Sequence, residues 1–140
     1  MKNTYLSASF YLTLAGTLFA GYMSGVKLFT DTCAFNETCP YFMGYPACWV
    51  GLALFLTMFI VASFGLAKKI TDFTVKRTLS FVSLLGIIFS GRYVVEELAL
   101  LIKQGYAHYQ LGLSTCTYGL IFYLIIFVIS INWCKKCSAK

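Results

Sequence analysis

The chain has 140 residues, the size of one domain, and its composition is 59% apolar with only 11% charged residues. Its mean hydropathy is +0.78. Soluble domains carry about 25% charged residues, so this composition is typical of an integral membrane protein and excludes a small cytosolic enzyme. The net charge is +6, but the basic residues form no continuous patch between aromatic residues, which excludes a nucleic-acid-binding protein as well.

Four long stretches are nearly without charge, and each predicts a transmembrane helix. A helix rises about 1.5 Å per residue, so about 20 residues cross a hydrocarbon core of about 30 Å. The sequence therefore predicts an all-α, single-domain, four-helix membrane bundle with three connectors. The predicted helices cover residues 7–29, 46–67, 78–102 and 111–133. The first stretch is long for a signal peptide and no small-residue cleavage site follows it, so we expect it to be retained.

The lysine and arginine residues predict the orientation of the bundle. Eight of the eleven lie at the N-terminus, in the connector 68–77 or at the C-terminus, which all belong to one side. Only Lys27 and Lys103 belong to the other side, and Arg92 lies within the third helix. Under the positive-inside rule both termini are cytosolic. The expected location is the plasma or inner membrane, or the endoplasmic reticulum in a eukaryote, with membrane lipid as a partner and no nucleic acid.

Four of the six cysteines fall in or beside the outer connectors, where an oxidising compartment permits disulfides. They are Cys33, Cys39, Cys48 and Cys116. Cys33 and Cys39 are six residues apart in a loop, so they can close a small disulfide or act as a mobile pair that exchanges electrons with a soluble partner. Cys134 and Cys137 have the spacing of half a zinc site, but no second pair accompanies them, so no metal site is expected.

The other two outer cysteines begin helices. Gly44-Tyr45-Pro46 predicts a turn ahead of the second helix, because proline is tolerated in the first helical turn, and Cys48 follows at the outer end of that helix. Cys116 opens the fourth helix. The partial positive charge at a helix N-terminus stabilises a thiolate, so Cys116, and more weakly Cys48, are candidate nucleophiles. The two can meet across the bundle.

Together these features resemble the vitamin K epoxide reductase family, to which the bacterial disulfide bond formation protein B is related in function. The resemblance spans roughly residues 14–127. The matching features are the four helices with cytosolic termini, the Cys33/Cys39 loop pair, the Gly44-Tyr45-Pro46 turn with Gly51 one turn into the second helix, and Cys116 at the start of the fourth.

The resemblance implies a quinone-linked thiol-disulfide oxidoreductase. A dithiol of a thioredoxin-like or other thiol protein on the extracytosolic side would reduce a Cys33–Cys39 disulfide. That pair would exchange with Cys116, and a Cys48/Cys116 pair would pass two electrons to a membrane quinone. The four cysteines are therefore the candidate catalytic residues.

One position departs from the family pattern. Members carry a Cys-x-x-Cys pair at the start of the fourth helix whose second cysteine faces the quinone, and Gly119 stands at that position here. Either Cys48 supplies the second thiol from the neighbouring helix, or the quinone chemistry is lost. The alternative function is a catalytically silent membrane subunit, stapled by permanent Cys33–Cys39 and Cys48–Cys116 disulfides, that binds a partner protein or lipid.

A second set of polar residues lies in the third helix. Arg92 is about 22 Å along that helix from the basic connector, with Glu96 one turn further at i+4. Ionisable side chains at such depth usually face the bundle interior or a cavity. Two interpretations are open. In the first, the two residues form a polar pocket that binds a quinone carbonyl or carries a proton path; in the second, they form an internal ion pair that only fixes the helix rotation. In the first case Arg92, Glu96, Tyr118 and Gly119 are the candidate quinone-binding residues.

Small residues recur at i, i+4 spacing on the first helix and allow another helix to approach closely. They are Gly16, Ala20 and Ser24, with Gly21 and Gly25 beside them. Two interpretations stay open at this point: packing within one bundle, or the interface of a homodimer.

Overall fold

The computed structural model describes residues 2–30, 41–104 and 115–138, and the helices and strands below are those of these ranges. They are α1 (Lys2–Thr30), β1 (Tyr41–Phe42), β2 (Tyr45–Pro46), α2 (Ala47–Leu66), α3 (Asp72–Gln104) and α4 (Thr115–Ser138). The predicted all-α architecture with four helices is confirmed, with a short hairpin added before α2.

Three of these helices are long and apolar enough to cross a membrane: Thr4–Thr30, Ala47–Leu66 and Asp72–Ala99. In α4 the apolar stretch is shorter, Cys116–Asn132, which at about 1.5 Å per residue spans about 25 Å. The described residues therefore carry the helices expected of an integral membrane protein. The fourth membrane crossing stays a prediction.

The connector between α2 and α3 is shorter than predicted. The left-handed backbone of Lys68, at φ +55, ends α2, and its N–H donates to the Gly65 carbonyl at 3.0 Å. The helix α3 then begins at Asp72, whose carboxylate suits the positive end of a helix. The expected start at residue 78 is wrong, because Lys76 and Arg77 are good helix formers whose long side chains keep their charges near water from within the first turns.

The turn predicted at Gly44-Tyr45-Pro46 is part of the hairpin. Its strands pair antiparallel, with Phe42 opposite Tyr45. Met43 and Gly44 form the tip, both with positive φ, +51 and +87, as a tight hairpin turn requires. Pro46 then caps α2 with φ −63. The hairpin thus leads directly into the helix that carries Cys48.

The helices pack in a ring in chain order: α1 against α2, α2 against α3, α3 against α4, and α4 back against α1. At the centre of the ring the rings of Phe55 and Tyr123 stack with centroids 4.4 Å apart and an interplanar angle of 11°. A Cβ at Gly16 would overlap the Phe55 ring, and one at Gly86 would lie 2.5 Å from the Tyr123 ring. All four helices therefore meet in one layer, in which two aromatic rings lie between two glycines.

The small residues of α1 divide between two faces. Gly16 contacts Phe55, Ala20 is buried, and the Ser24 hydroxyl donates to the Cys48 carbonyl at 3.4 Å. For these residues, packing within one bundle is confirmed. Gly21 and Gly25 instead line an apolar groove on the outside of α1 and α2, and the homodimer stays a prediction.

Candidate functional site

A cavity of about 50 Å³, open on one side, lies at the end of the bundle where α2 and α4 begin. Cys48 and Cys116, the second residues of these two helices, both line it. Their side chains are half-buried, and both are thiols in the structure. Two of the four sequence-predicted catalytic cysteines are therefore brought to one site.

The remaining cavity walls are mainly apolar. Phe19 and Ala20 come from α1 and Phe89 from α3. Tyr123 lines the cavity as well, and its hydroxyl donates to the Gly51 carbonyl at 3.3 Å. This hydrogen bond connects α4 to the first turns of α2, and so helps to hold the two cysteine-bearing helix ends together.

The electrostatics of the cavity come from the helix ends. Each helix N-terminus carries the equivalent of about half a positive charge. Since Cys48 and Cys116 lie in the first turns of α2 and α4, both sulfurs lie near such a charge. An anion at either sulfur is therefore favoured over one elsewhere in the apolar bundle.

Gly119 also lines the cavity. A Cβ built there would meet no nearer atom than the Ser90 hydroxyl oxygen, at 4.0 Å. The position at which the resembling family carries its second cysteine thus faces the cavity and has room for a side chain. The glycine leaves that room empty.

The other predicted quinone-binding residues lie elsewhere. The Tyr118 ring packs against Phe19, with centroids 6.1 Å apart. The Arg92 guanidinium and the Glu96 carboxylate form the i, i+4 ion pair at 3.3 Å, but their side chains are 77% and 56% exposed. Within the described ranges, the cavity lining does not include Tyr118, Arg92 or Glu96.

The expectation that Arg92 and Glu96 face the bundle interior is wrong. With 3.6 residues per turn, the inward face of α3 carries Ser90 and Tyr93, which are buried. Arg92 and Glu96 then point outward, where each satisfies the other's charge. Of the two adjacent glutamates, Glu97 is the one turned inward, with one carboxylate oxygen shielded from solvent.

The sequence motifs single out neither Met23 nor Ser90 among the cavity residues. Met23 is 5% exposed and Ser90 is 7% exposed, and both line the cavity. Met23 lies at i+7 from Gly16 and i+3 from Ala20, so the small-residue stripe of α1 already indicated its face. Ser90 carries no comparable pattern. Cys33 and Cys39 lie outside the described residues.

A quinone can be tested against this cavity by volume and by chemistry. An engineered cavity that binds a benzene ring measures about 150 Å³, about three times the volume present here. The apolar walls, the two thiols and the Ser90 hydroxyl suit the edge of a quinone presented at the open side. The residues that line the cavity therefore fit a contact with the edge of a quinone, but the cavity is too small to enclose the quinone ring.

Comparison of the chain with family models, with curated proteins and with solved structures gives no match. The resemblance to the vitamin K epoxide reductase family therefore rests on the sequence motifs named above.

Proposed function

We propose that this protein is a membrane thiol-disulfide oxidoreductase in which Cys48 and Cys116 are the pair at the membrane surface. The observation that supports the proposal is that these two cysteines, 68 positions apart in the chain, line one cavity from the first turns of α2 and α4. With Gly119 in place of a second cysteine on α4, Cys48 is the resolving thiol.

The reaction is a two-electron exchange. Oxidation of the two thiols forms the Cys48–Cys116 disulfide and releases two electrons and two protons, which a membrane quinone takes up to become a quinol. Exchange with the loop pair then forms a disulfide between Cys33 and Cys39 as the Cys48–Cys116 disulfide breaks. A thioredoxin-like partner donates its own dithiol to that loop disulfide and leaves oxidised. Thiolate stabilisation at the start of α4 makes Cys116 the attacking sulfur.

The proposed orientation is four-pass, with both termini in the cytosol. The turn with Lys68 and Lys69 follows the end of α2, opposite to the cavity, and positive charge favours the cytosolic side. The cavity would then open to the oxidising side of a plasma or inner membrane, or to the lumen of the endoplasmic reticulum. Disulfides persist in those compartments.

Quinone reduction by the pre-reduced full-length protein in detergent tests the proposal. We expect quinol formation to be lost in Cys48→Ser and in Cys116→Ser. The double variant Cys134→Ser/Cys137→Ser, whose changes follow the apolar stretch of α4, is the matched control and should retain the rate. An unchanged rate in Cys48→Ser would exclude Cys48 as the resolving thiol.

A rescue experiment uses the room at Gly119. In the Cys48→Ser background, Gly119→Cys should restore quinone reduction because it supplies a second thiol to Cys116 from one turn along α4. Gly119→Ser has nearly the same size without the sulfur, and should not restore it. If the wild-type protein reduces no quinone and a Cys48–Cys116 disulfide resists mild reductant in mass spectra, the protein is the stapled, catalytically silent subunit instead.

A further inference from the structure

Three residues with sulfur-bearing side chains, from three different helices, line the cavity. They are Met23 of α1, Cys48 of α2 and Cys116 of α4. Met23 is buried, with only 5% of its surface exposed. Methionine is often used as a flexible filler of apolar cores. Here Met23 lines the same cavity as Cys48 and Cys116.

Soft thiolate and thioether ligands suit Cu(I), zinc and iron–sulfur clusters, whereas carboxylate, carbonyl and water oxygens suit harder cations. Structural zinc sites are almost always four-coordinate, so a set of three sulfur ligands favours Cu(I). Within the described ranges no group of three histidine, cysteine or acidic residues is placed to hold a metal. A third ligand beside Cys48 and Cys116 would therefore come from Met23. We propose that the reduced protein binds one Cu(I) ion in this cavity, held by the thiolates of Cys48 and Cys116 and the thioether of Met23.

The charge balance of this site is favourable. One Cu(I) ion replaces the two thiol protons, which are released, and the resulting complex carries one negative charge. An uncompensated charge among apolar walls is costly. The N-termini of α2 and α4 each contribute the equivalent of about half a positive charge beside Cys48 and Cys116, so together they offset about the whole charge of the complex.

The size of the cavity favours an ion over a larger ligand. One water needs about 10–15 Å³ of such volume and a benzene ring about 150 Å³. The cavity, at about 50 Å³, is ample for a single ion between its ligands. Because both thiolates would be engaged, bound copper would keep the pair reduced and prevent disulfide formation, so copper would inhibit the exchange proposed above.

This inference uses the same two cysteines as the proposed function but needs no electron transfer. Quinone reduction by the wild-type protein and Cu(I) binding by the wild-type protein are separate measurements. Loss of copper binding with intact quinone reduction overturns the copper site alone. Copper binding without any quinone reduction overturns the oxidoreductase alone.

The test is an anaerobic titration of the full-length protein with Cu(I) alone, in competition with a chromogenic Cu(I) chelator. Replacing the other four cysteines by serine leaves only Cys48 and Cys116 as thiols. We expect one Cu(I) per chain and two protons released per ion at neutral pH. X-ray absorption should report three sulfur ligands, and Zn²⁺ should not displace the copper.

Met23→Leu should weaken Cu(I) binding by at least about tenfold, which is about 1.4 kcal/mol, and should reduce the ligands to two sulfurs. Met58→Leu is the matched control, since Met58 is fully buried in α2 and does not line the cavity; its affinity should equal the wild type. Equal affinities of the two methionine variants, retention of copper by Cys116→Ser, or displacement by Zn²⁺ would each overturn the proposal.

Discussion

The layer of two aromatic rings between two glycines makes Gly86 the most informative position for a stability test. A Cβ at residue 86 would lie 2.5 Å from two carbons of the Tyr123 ring and 2.7 Å from a third, whereas carbon atoms pack at about 3.5–4.0 Å. The ring cannot retreat, because Phe55 stacks on its other face at 4.4 Å and Gly16 lies behind Phe55. Such overpacking of a core costs about 1–3 kcal/mol.

The control for Gly86→Ala is Gly91→Ala on the same helix. A Cβ at Gly91 would meet nothing within 4 Å. Both substitutions gain the higher helix propensity of alanine, about 1 kcal/mol, so that gain cancels when the two variants are compared. We therefore expect the free energy of unfolding of Gly86→Ala to be lower than that of Gly91→Ala by about 1–3 kcal/mol.

Unfolding by sodium dodecyl sulfate in mixed micelles, followed by far-ultraviolet circular dichroism, measures this difference. Gly16→Ala should behave like Gly86→Ala, with Gly25→Ala as its control on α1, since a Cβ at Gly25 also meets nothing within 4 Å. The double variant Gly16→Ala/Gly86→Ala presses the same two rings from both sides, so its loss should equal or exceed the sum. Equal stability of Gly86→Ala and Gly91→Ala would refute the proposed layer.

Three further predictions follow from single contacts, and the same unfolding assay measures each. Tyr123→Phe removes the hydrogen bond to the Gly51 carbonyl and should cost about 0.5–1.5 kcal/mol; no loss would mean that this bond contributes nothing to joining α4 and α2. The buried Tyr5 hydroxyl lies 3.2 Å from the Ser130 hydroxyl. A double-mutant cycle of Tyr5→Phe and Ser130→Ala should therefore give a coupling energy of about 0.6 kcal/mol, which is the average for such bonds between membrane helices. Strictly additive losses of stability would contradict the contact. Lys68→Gly removes the steric cost of the left-handed backbone that ends α2, so it should raise the free energy of unfolding by up to about 1 kcal/mol. A destabilised variant would show that the contacts of the lysine side chain outweigh this cost.

The sequence alone was sufficient for the elements that depend on local composition. Long uncharged stretches predict helices because a membrane leaves no other way to satisfy backbone polar groups. The turn before α2 and the start of α4 next to Cys116 follow from proline, glycine and apolar patterning. Helix bounds near charged residues were less well predicted, as at Lys76, since charge does not prevent a helix.

Only the tertiary structure decided which face of each helix meets the others. The hydrophobic pattern of a membrane helix is weak, because the lipid-facing side is as apolar as the packed side. The sequence pattern therefore predicts that Arg92 and Glu96 face the interior, although they lie outside as a mutually satisfied pair. Met23 joined the two cysteines, and Phe55 joined Tyr123 between two glycines, through the rotation and close approach of four helices that no single stretch of sequence specifies.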